Sequence, residues 1–295
     1  MGIFVGVIAF GMDELEGFLI DKRWEAAQKF LDEDNYWVAK FVFASICLGF
    51  AIIAAGMTVY WGPGAAGSGV AETLAYINGV NYHGFVGIPT LITKIIAVVL
   101  AVCAGLKVGK EGPLAHIGSL VGLFMIYLPF PFTKYFRNDR EKRMLVAAGA
   151  GVGVSVAFGA PIGGVLFAYE VSKSTSFWSF SLAWRTFIAT SMANFVLAFL
   201  EAAKDGNFEN VTNSGLLKFG ILGQVHPYGI ADIPVFAVIG ILAGILGAIF
   251  VIINTWLNKN RKRIHTKKWM KFVEVLLFAF VGAIIAFILP LIFQD

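Results

Sequence analysis

Lys107, Lys110 and Glu111 stand in the stretch LKVGKEGPLAHIGS, between two apolar runs that are each long enough to be buried in lipid. A charge at bilayer depth costs roughly 2.5 to 3.5 kcal/mol on insertion scales, so it is rarely held there without a task. Gly109, Gly112 and Pro113 break the run around these residues, and Pro113 suits the first turn of a new helix. A helix that starts at membrane depth offers free N–H groups and the positive end of its dipole, which is chemistry for binding an anion. Glu111 at such a start has two readings. Its carboxylate occupies the place of an anion when charged and leaves it when protonated or displaced, or it is a static cap of the helix.

The same construction recurs. YWGPGAAGSGVAETLAYINGV, residues 60–80, carries Gly62, Pro63, Gly64, Gly67 and Gly69, so no helix runs through it, and a short helix is expected from about Ser68–Ala71 to about Gly79. Ser68 at that start either caps the helix with its hydroxyl or donates to a bound anion. In AFGAPIGGVLFAYEV, Gly159 and Pro161 separate a helix over 144–158 from one that begins near Pro161. Irregular backbone at depth is tolerated only where it lines a cavity or is buried in protein, so the pattern is that of a channel or transporter with discontinuous helices. The pairs Gly118 and Gly122, Gly149 and Gly153, and Gly240 and Gly244 have small-xxx-small spacing and read instead as sites of close helix packing.

The elements that must position these groups are membrane helices. The 295 residues are 58% hydrophobic and 14% charged, and 28 of them are Phe, more than a water-facing surface of this size accommodates. Apolar runs at 36–60, 86–106, 112–130, 144–169, 180–200, 233–257 and 270–294 are each about long enough to span a hydrocarbon core as a helix. Met1–Ile20 is apolar too, but Asp13, Glu14 and Glu16 interrupt it and no basic segment precedes it, so a partial helix is expected rather than a cleaved signal peptide. The net charge of +4 comes with basic clusters between spans, KYFRNDREKR (134–143) and NKNRKRIHTKK (258–268). They read as cytoplasmic loops, or as contacts for lipid headgroups, and not as a nucleic-acid surface. Asn210, in NVT within the polar segment 201–232, is a glycosylation acceptor only on a lumenal or outer face. Cys47 and Cys103 fall inside apolar runs as packing residues, and His83, His116, His226 and His265 are dispersed. Neither a metal-ligand cluster nor a nucleophile and base pair is visible, so an enzyme, a metal site and a cofactor are not expected.

GSGVAETLAYINGV, GKEGPLAHIGS and AAGAGVGVSVAFGAPIGGVLFAYEV, in this order, closely resemble the CLC chloride channels and chloride/proton antiporters. The likeness continues through SFWSFSLAWRTF and IPVFAVIGILAGILGAIF, and the part after the third motif is similar to the eukaryotic lysosomal and plant branches. The resemblance implies an all-α integral membrane protein, an inverted-repeat bundle with discontinuous helices, working as a homodimer in lipid with one chloride path per subunit. It implies that residues 1–200 are the first repeat, 201–232 an extramembrane connection and 233–295 the first two helices of the second repeat. The later anion-facing helix start, the pore tyrosine and the cytoplasmic nucleotide-sensing CBS domains lie outside the chain, so one copy is expected to enclose part of a pathway.

By the same resemblance Ser68 contacts the central anion, the backbone of Gly69, Val70 and Gly112 forms the anion-facing helix starts, and Glu111 is the external gate. Helices near 161–173 and 180–200 match part of a dimer interface. The chain departs from the family at Ala71, where most members have proline, and at Val171, which follows Glu170 where antiporters carry a second glutamate as internal proton acceptor. Adjacent helical residues point about 100° apart, so Glu170 is no automatic substitute. The resemblance therefore implies a passive chloride channel subunit, with a chloride/proton antiporter and a non-conducting assembly subunit as alternatives. Plasma membrane and endomembrane are not distinguished.

Overall fold

A computed structural model describes residues 1–81, 84–129, 137–173, 178–206, 208, 229–264 and 267–292. Among them are α1 (Gly2–Leu31), α2 (Tyr36–Gly56), α3 (Val70–Ile77), α4 (Ile88–Cys103), α5 (Glu111–Phe124), α6 (Asp139–Phe158), α7 (Pro161–Lys173), α8 (Phe180–Asp205), α9 (Ile233–Ile264) and α10 (Lys268–Ile292). The protein is an all-α, multi-pass integral membrane protein. Tyr36–Trp61, Phe180–Asp205, Ile230–Arg261 and Lys268–Ile288 are long and apolar enough to cross a bilayer.

The breaks fall where glycine and proline require them. α2 ends in a π turn over Met57–Trp61, and Pro63 opens a short 3₁₀ turn. α3 occupies the expected place, shorter by two residues at its end. Asn138 caps α6 through its side chain, which accepts from the Glu141 N–H at 2.8 Å, and Gly159 ends that helix in the left-handed region. α7 then starts on Pro161, so the run 144–169 is divided as its sequence predicts.

α1 differs from expectation. It is a 30-residue helix, not a partial one, because the acidic residues that interrupt its apolar pattern are paired elsewhere in the fold. Glu16 lies 2.8 Å and Asp13 3.8 Å from the Lys110 ammonium, and Glu14 lies 2.8 Å from Lys204. Paired acids can be held inside a long membrane helix, because the partner cation offsets the cost of taking the charge out of water.

Residues Met1–Lys218 with Phe272–Asp295 form one compact unit. Its centre is the pair α5 and α6, joined without side chains between them. A methyl group on Gly118 would collide with the Gly149 carbonyl, one on Gly149 with the Gly118 carbonyl, and one on Gly153 with the Leu114 carbonyl. Ser119 Oγ also reaches the Val146 carbonyl at 3.2 Å. This is the backbone-to-backbone approach that small residues permit in membranes. Cys47 and Cys103 are buried packing residues. The second unit, Phe219–Lys271, contains α9. Gly240 and Gly244 have no atom within 4 Å of the place a Cβ would take, so the packing expected of that pair has no counterpart among the described residues.

Candidate functional site

Two helix starts meet at one cavity. It has a volume of about 510 Å³, and Ser68, Lys94, Glu111 and Gly112 are among its lining residues. The rest of the wall is largely apolar, from Ala54 and Val59 at the end of α2, Ala97 and Ala101 on α4, and Val275 on α10.

The first start is built by glycine. Gly67 and Gly69 have φ of +72° and +83°, which L side chains rarely adopt, and they turn the chain so that α3 begins at Val70. Ser68 lies between them. Its Oγ accepts from the Val70 N–H at 3.4 Å, a long contact from the residue before the N-cap, which is Gly69 and carries no side-chain bond. A hydroxyl that accepts still has its own proton to donate, and this contact therefore leaves an O–H for an occupant of the cavity. Gly69 is buried against His116, whose imidazole is where a side chain at 69 would go. His116 is fully buried and stacks on Phe85, with ring centroids 4.7 Å apart and 5° between planes. Both of its ring nitrogens lack a hydrogen-bond partner among the described residues, so the histidine serves here as a flat wall that fixes Gly69.

The second start is α5. Glu111 is its first residue, with Lys110 at the N-cap and no side-chain cap bond. Leu114 N–H is bonded to the Lys110 carbonyl at 2.9 Å, while the N–H groups of Glu111 and Gly112 precede any intrahelical acceptor and Pro113 has none to offer. The Glu111 carboxylate folds back beside Gly109, where a Cβ on the glycine would collide with Oε2. It is half-buried and on the cavity wall. Lys110 points the other way, into its ion pair with Glu16, and so does not neutralise the cavity.

Lys94 is the residue that sequence reasoning missed. It sits in ITKIIAVVLAVC on α4, is 1% exposed, and its Nζ donates to the carbonyl oxygens of Ala65 at 2.9 Å and Gly67 at 2.6 Å. A lone lysine within an apolar run was the signal available. Its ammonium has a third donor with no acceptor among the described residues and lines the same cavity as Ser68 and Glu111. One buried cation, the polar groups at two helix starts and one carboxylate therefore line a single pocket.

The other predicted residues lie apart. Val171 is 4% exposed and packs with Ile77, Leu123, Ile126, Val146 and Ala147. Glu170 is exposed and lines a separate cavity of about 380 Å³ with Phe158, Ala160 and Leu166. Asn210 lies outside the described residues, as do His83, His226, His265 and most of 201–232.

Known proteins are similar to this chain in sequence and in fold. The family described as Voltage gated chloride channel matches residues 48–295. H(+)/Cl(-) exchange transporter 7 of Mus musculus is 35% identical over 301 residues, covering 98% of this chain and 37% of that protein. Chloride channel protein D of Dictyostelium discoideum is 35% identical over 302 residues, covering 100% of this chain and 29% of that protein. Among solved structures, a slow cyanobacterial Cl-/H+ antiporter superposes with a TM-score of 0.73 at 23% identity, over 96% of this chain and 61% of the other. A eukaryotic CLC transporter superposes with a TM-score of 0.73 at 19% identity, over 94% of this chain and 47% of the other. The chain thus spans little more than a third of the length of the first of these relatives.

Proposed function

The chain belongs to the voltage gated chloride channel family, and from that premise we propose that it forms the gated wall of a chloride path. The observation that carries this reading is the meeting of Ser68, Lys94, Gly112 and Glu111 on one cavity. The Ser68 hydroxyl, the N–H groups at the starts of α3 and α5, and the Lys94 ammonium hold the anion. Glu111 competes for the same place as a tethered anion, and protonation or displacement releases the path.

Passive flow is the reading the residues favour. An internal proton carrier needs a titratable group, and Val171 is apolar and closed in by apolar neighbours. Exchange is the second reading, supported by relatives such as H(+)/Cl(-) exchange transporter 7; the carrier would then be Glu170 or a water path. A homodimer fits the apolar outer faces of α7 and α8, where Ile162, Leu166, Trp184 and Ile188 are more than half exposed, at 67%, 60%, 52% and 62%.

Chloride efflux from liposomes holding this chain, with a pH electrode in the same vessel, tests the proposal. Efflux without proton movement is expected. Protons moving in fixed ratio with chloride would replace passive flow by exchange. A folded, inserted chain that releases no chloride would make it an assembly subunit that does not conduct alone.

A further inference from the structure

A second cavity, of about 500 Å³, lies on the other side of the loop that leads to Glu111. It shares Leu106, Val108 and Gly109 with the chloride cavity, but its remaining wall comes from Arg23 and Trp24 on α1, Phe43 on α2, Lys107, and Ala283 on α10. Arg23 is 8% exposed. Its Nη1 donates to the Cys103 carbonyl at 2.5 Å and reaches Cys47 Sγ at 3.8 Å, and its guanidinium carbon stands 4.8 Å from the Phe43 ring centre and 5.8 Å from that of Trp24.

What Arg23 lacks is an anion. Its Nε is buried without a hydrogen-bond acceptor, and no carboxylate among the described residues lies within salt-bridge distance of it. A buried guanidinium is ordinarily paired, and an N–H left without an acceptor destabilises the site that holds it. Lys107, exposed on the loop, likewise has no ion pair among the described residues. The cavity therefore has two cations, no acidic lining residue, and walls of aromatic and aliphatic carbon. Its volume is within the range of small-molecule pockets. Chloride alone would satisfy the charge and leave the apolar walls bare.

We propose that the cavity between Arg23, Lys107, Trp24 and Phe43 binds a single-chain amphipathic carboxylate, its head on Arg23 and Lys107 and its apolar body along the aromatic wall. The head pairs with the part of the Arg23 guanidinium that lines the cavity and with the Lys107 ammonium, and the body removes apolar surface from water. Because the segment Leu106–Gly109 is wall to both cavities, an occupant here holds the approach to Glu111. Occupancy itself does not depend on the chloride reading.

The test is a titration of the full 295-residue chain in non-ionic detergent with a terminally brominated undecanoate, read as quenching of tryptophan fluorescence. Saturable quenching is expected, with Trp24→Phe removing most of it. Lys107→Gln, at an exposed position that leaves folding intact, raises the half-saturation concentration about tenfold, and Arg23→Gln raises it at least as much. Arg23→Lys, which keeps the charge, recovers part of the loss. The proposal is overturned if the neutral methyl ester of the probe quenches with the same half-saturation, or if Lys107→Gln and Arg23→Gln both bind as the parent does. Displacement of the probe by phosphatidylglycerol, but not by phosphatidylcholine, at equal lipid content would also overturn it, by giving the site to an anionic lipid.

Discussion

Gly112 stands so close to Ser68 that a Cβ built on the glycine would lie 2.6 Å from the Cβ of the serine. The start of α5 is thereby pressed against the turn before α3, two segments brought together by the fold across the whole of α4. With no side chain between them, Ser68 before α3 and Glu111 and Gly112 at the start of α5 line one volume. The absence of a single carbon atom makes two helix ends into one site.

Gly112→Ala is therefore expected to damage the site before it damages the fold. The extra methyl meets Ser68 Cβ, not the end of a flexible side chain, so one helix start must shift at a cost of about 1 to 3 kcal/mol. Chloride flux should fall by tenfold or more, while thermal unfolding in detergent shows only a modest loss. Flux equal to the parent would show that the two starts need not touch.

Glu111→Gln should flatten the pH profile. In the parent, the charged carboxylate competes with the anion for the same place. The amide has no charge to lose, and its flux should be high and independent of pH. Liposome efflux measured across pH 4 to 8 reads this directly, and a variant with the parent's profile would move the pH sensor elsewhere.

Lys94→Met replaces a charge with a similar apolar length. The carbonyl groups of Ala65 and Gly67 lose their donor, at about 1 to 3 kcal/mol for each one left buried, and the cavity loses its cation. Chloride should bind at least tenfold more weakly by isothermal titration. Lys94→Arg should recover the charge but not the geometry, since a planar fork cannot take the place of a compact ammonium between two carbonyls. Undiminished chloride binding by the Met variant would confine Lys94 to holding the turn.

The breaks in the helices were legible because glycine and proline act locally: Gly69, Gly112 and Pro161 each mark a start within a residue or two of where it lies. Contact between starts was not legible from the same residues, since spacing along the chain says nothing of which ends converge. Ser68 and Glu111 were singled out by type and position, and their meeting came from the family resemblance. Lys94 and the pairing of Glu16 with Lys110 escaped because partners 27 and 29 residues away in the first case and more than ninety in the second leave no periodic trace. The same blindness made α1 look interrupted, as its three acids read as breaks until their lysines were in place.

Val171 gives the sharpest separation of passive flow from exchange. It is 4% exposed in a cluster with Ile77, Leu123 and Val146, so the side chain at this position offers no acceptor for a proton. An imposed chloride gradient should then move chloride and leave the pH trace flat. Val171→Glu buries a carboxyl among apolar side chains, where burial favours the neutral form and a proton is held to higher pH than usual. Acidity that must be buried lowers stability, by an amount that depends on how far α7 can yield. If the carboxyl connects to the path, the variant should acquire proton movement that follows the chloride gradient, with a folded fraction checked by gel filtration. If it does not connect, chloride flux should continue with the pH trace still flat, and the apolar cluster, not the missing acid alone, would be the barrier to protons. Proton movement by the parent chain would overturn the passive reading at once, because Val171 has nothing to titrate.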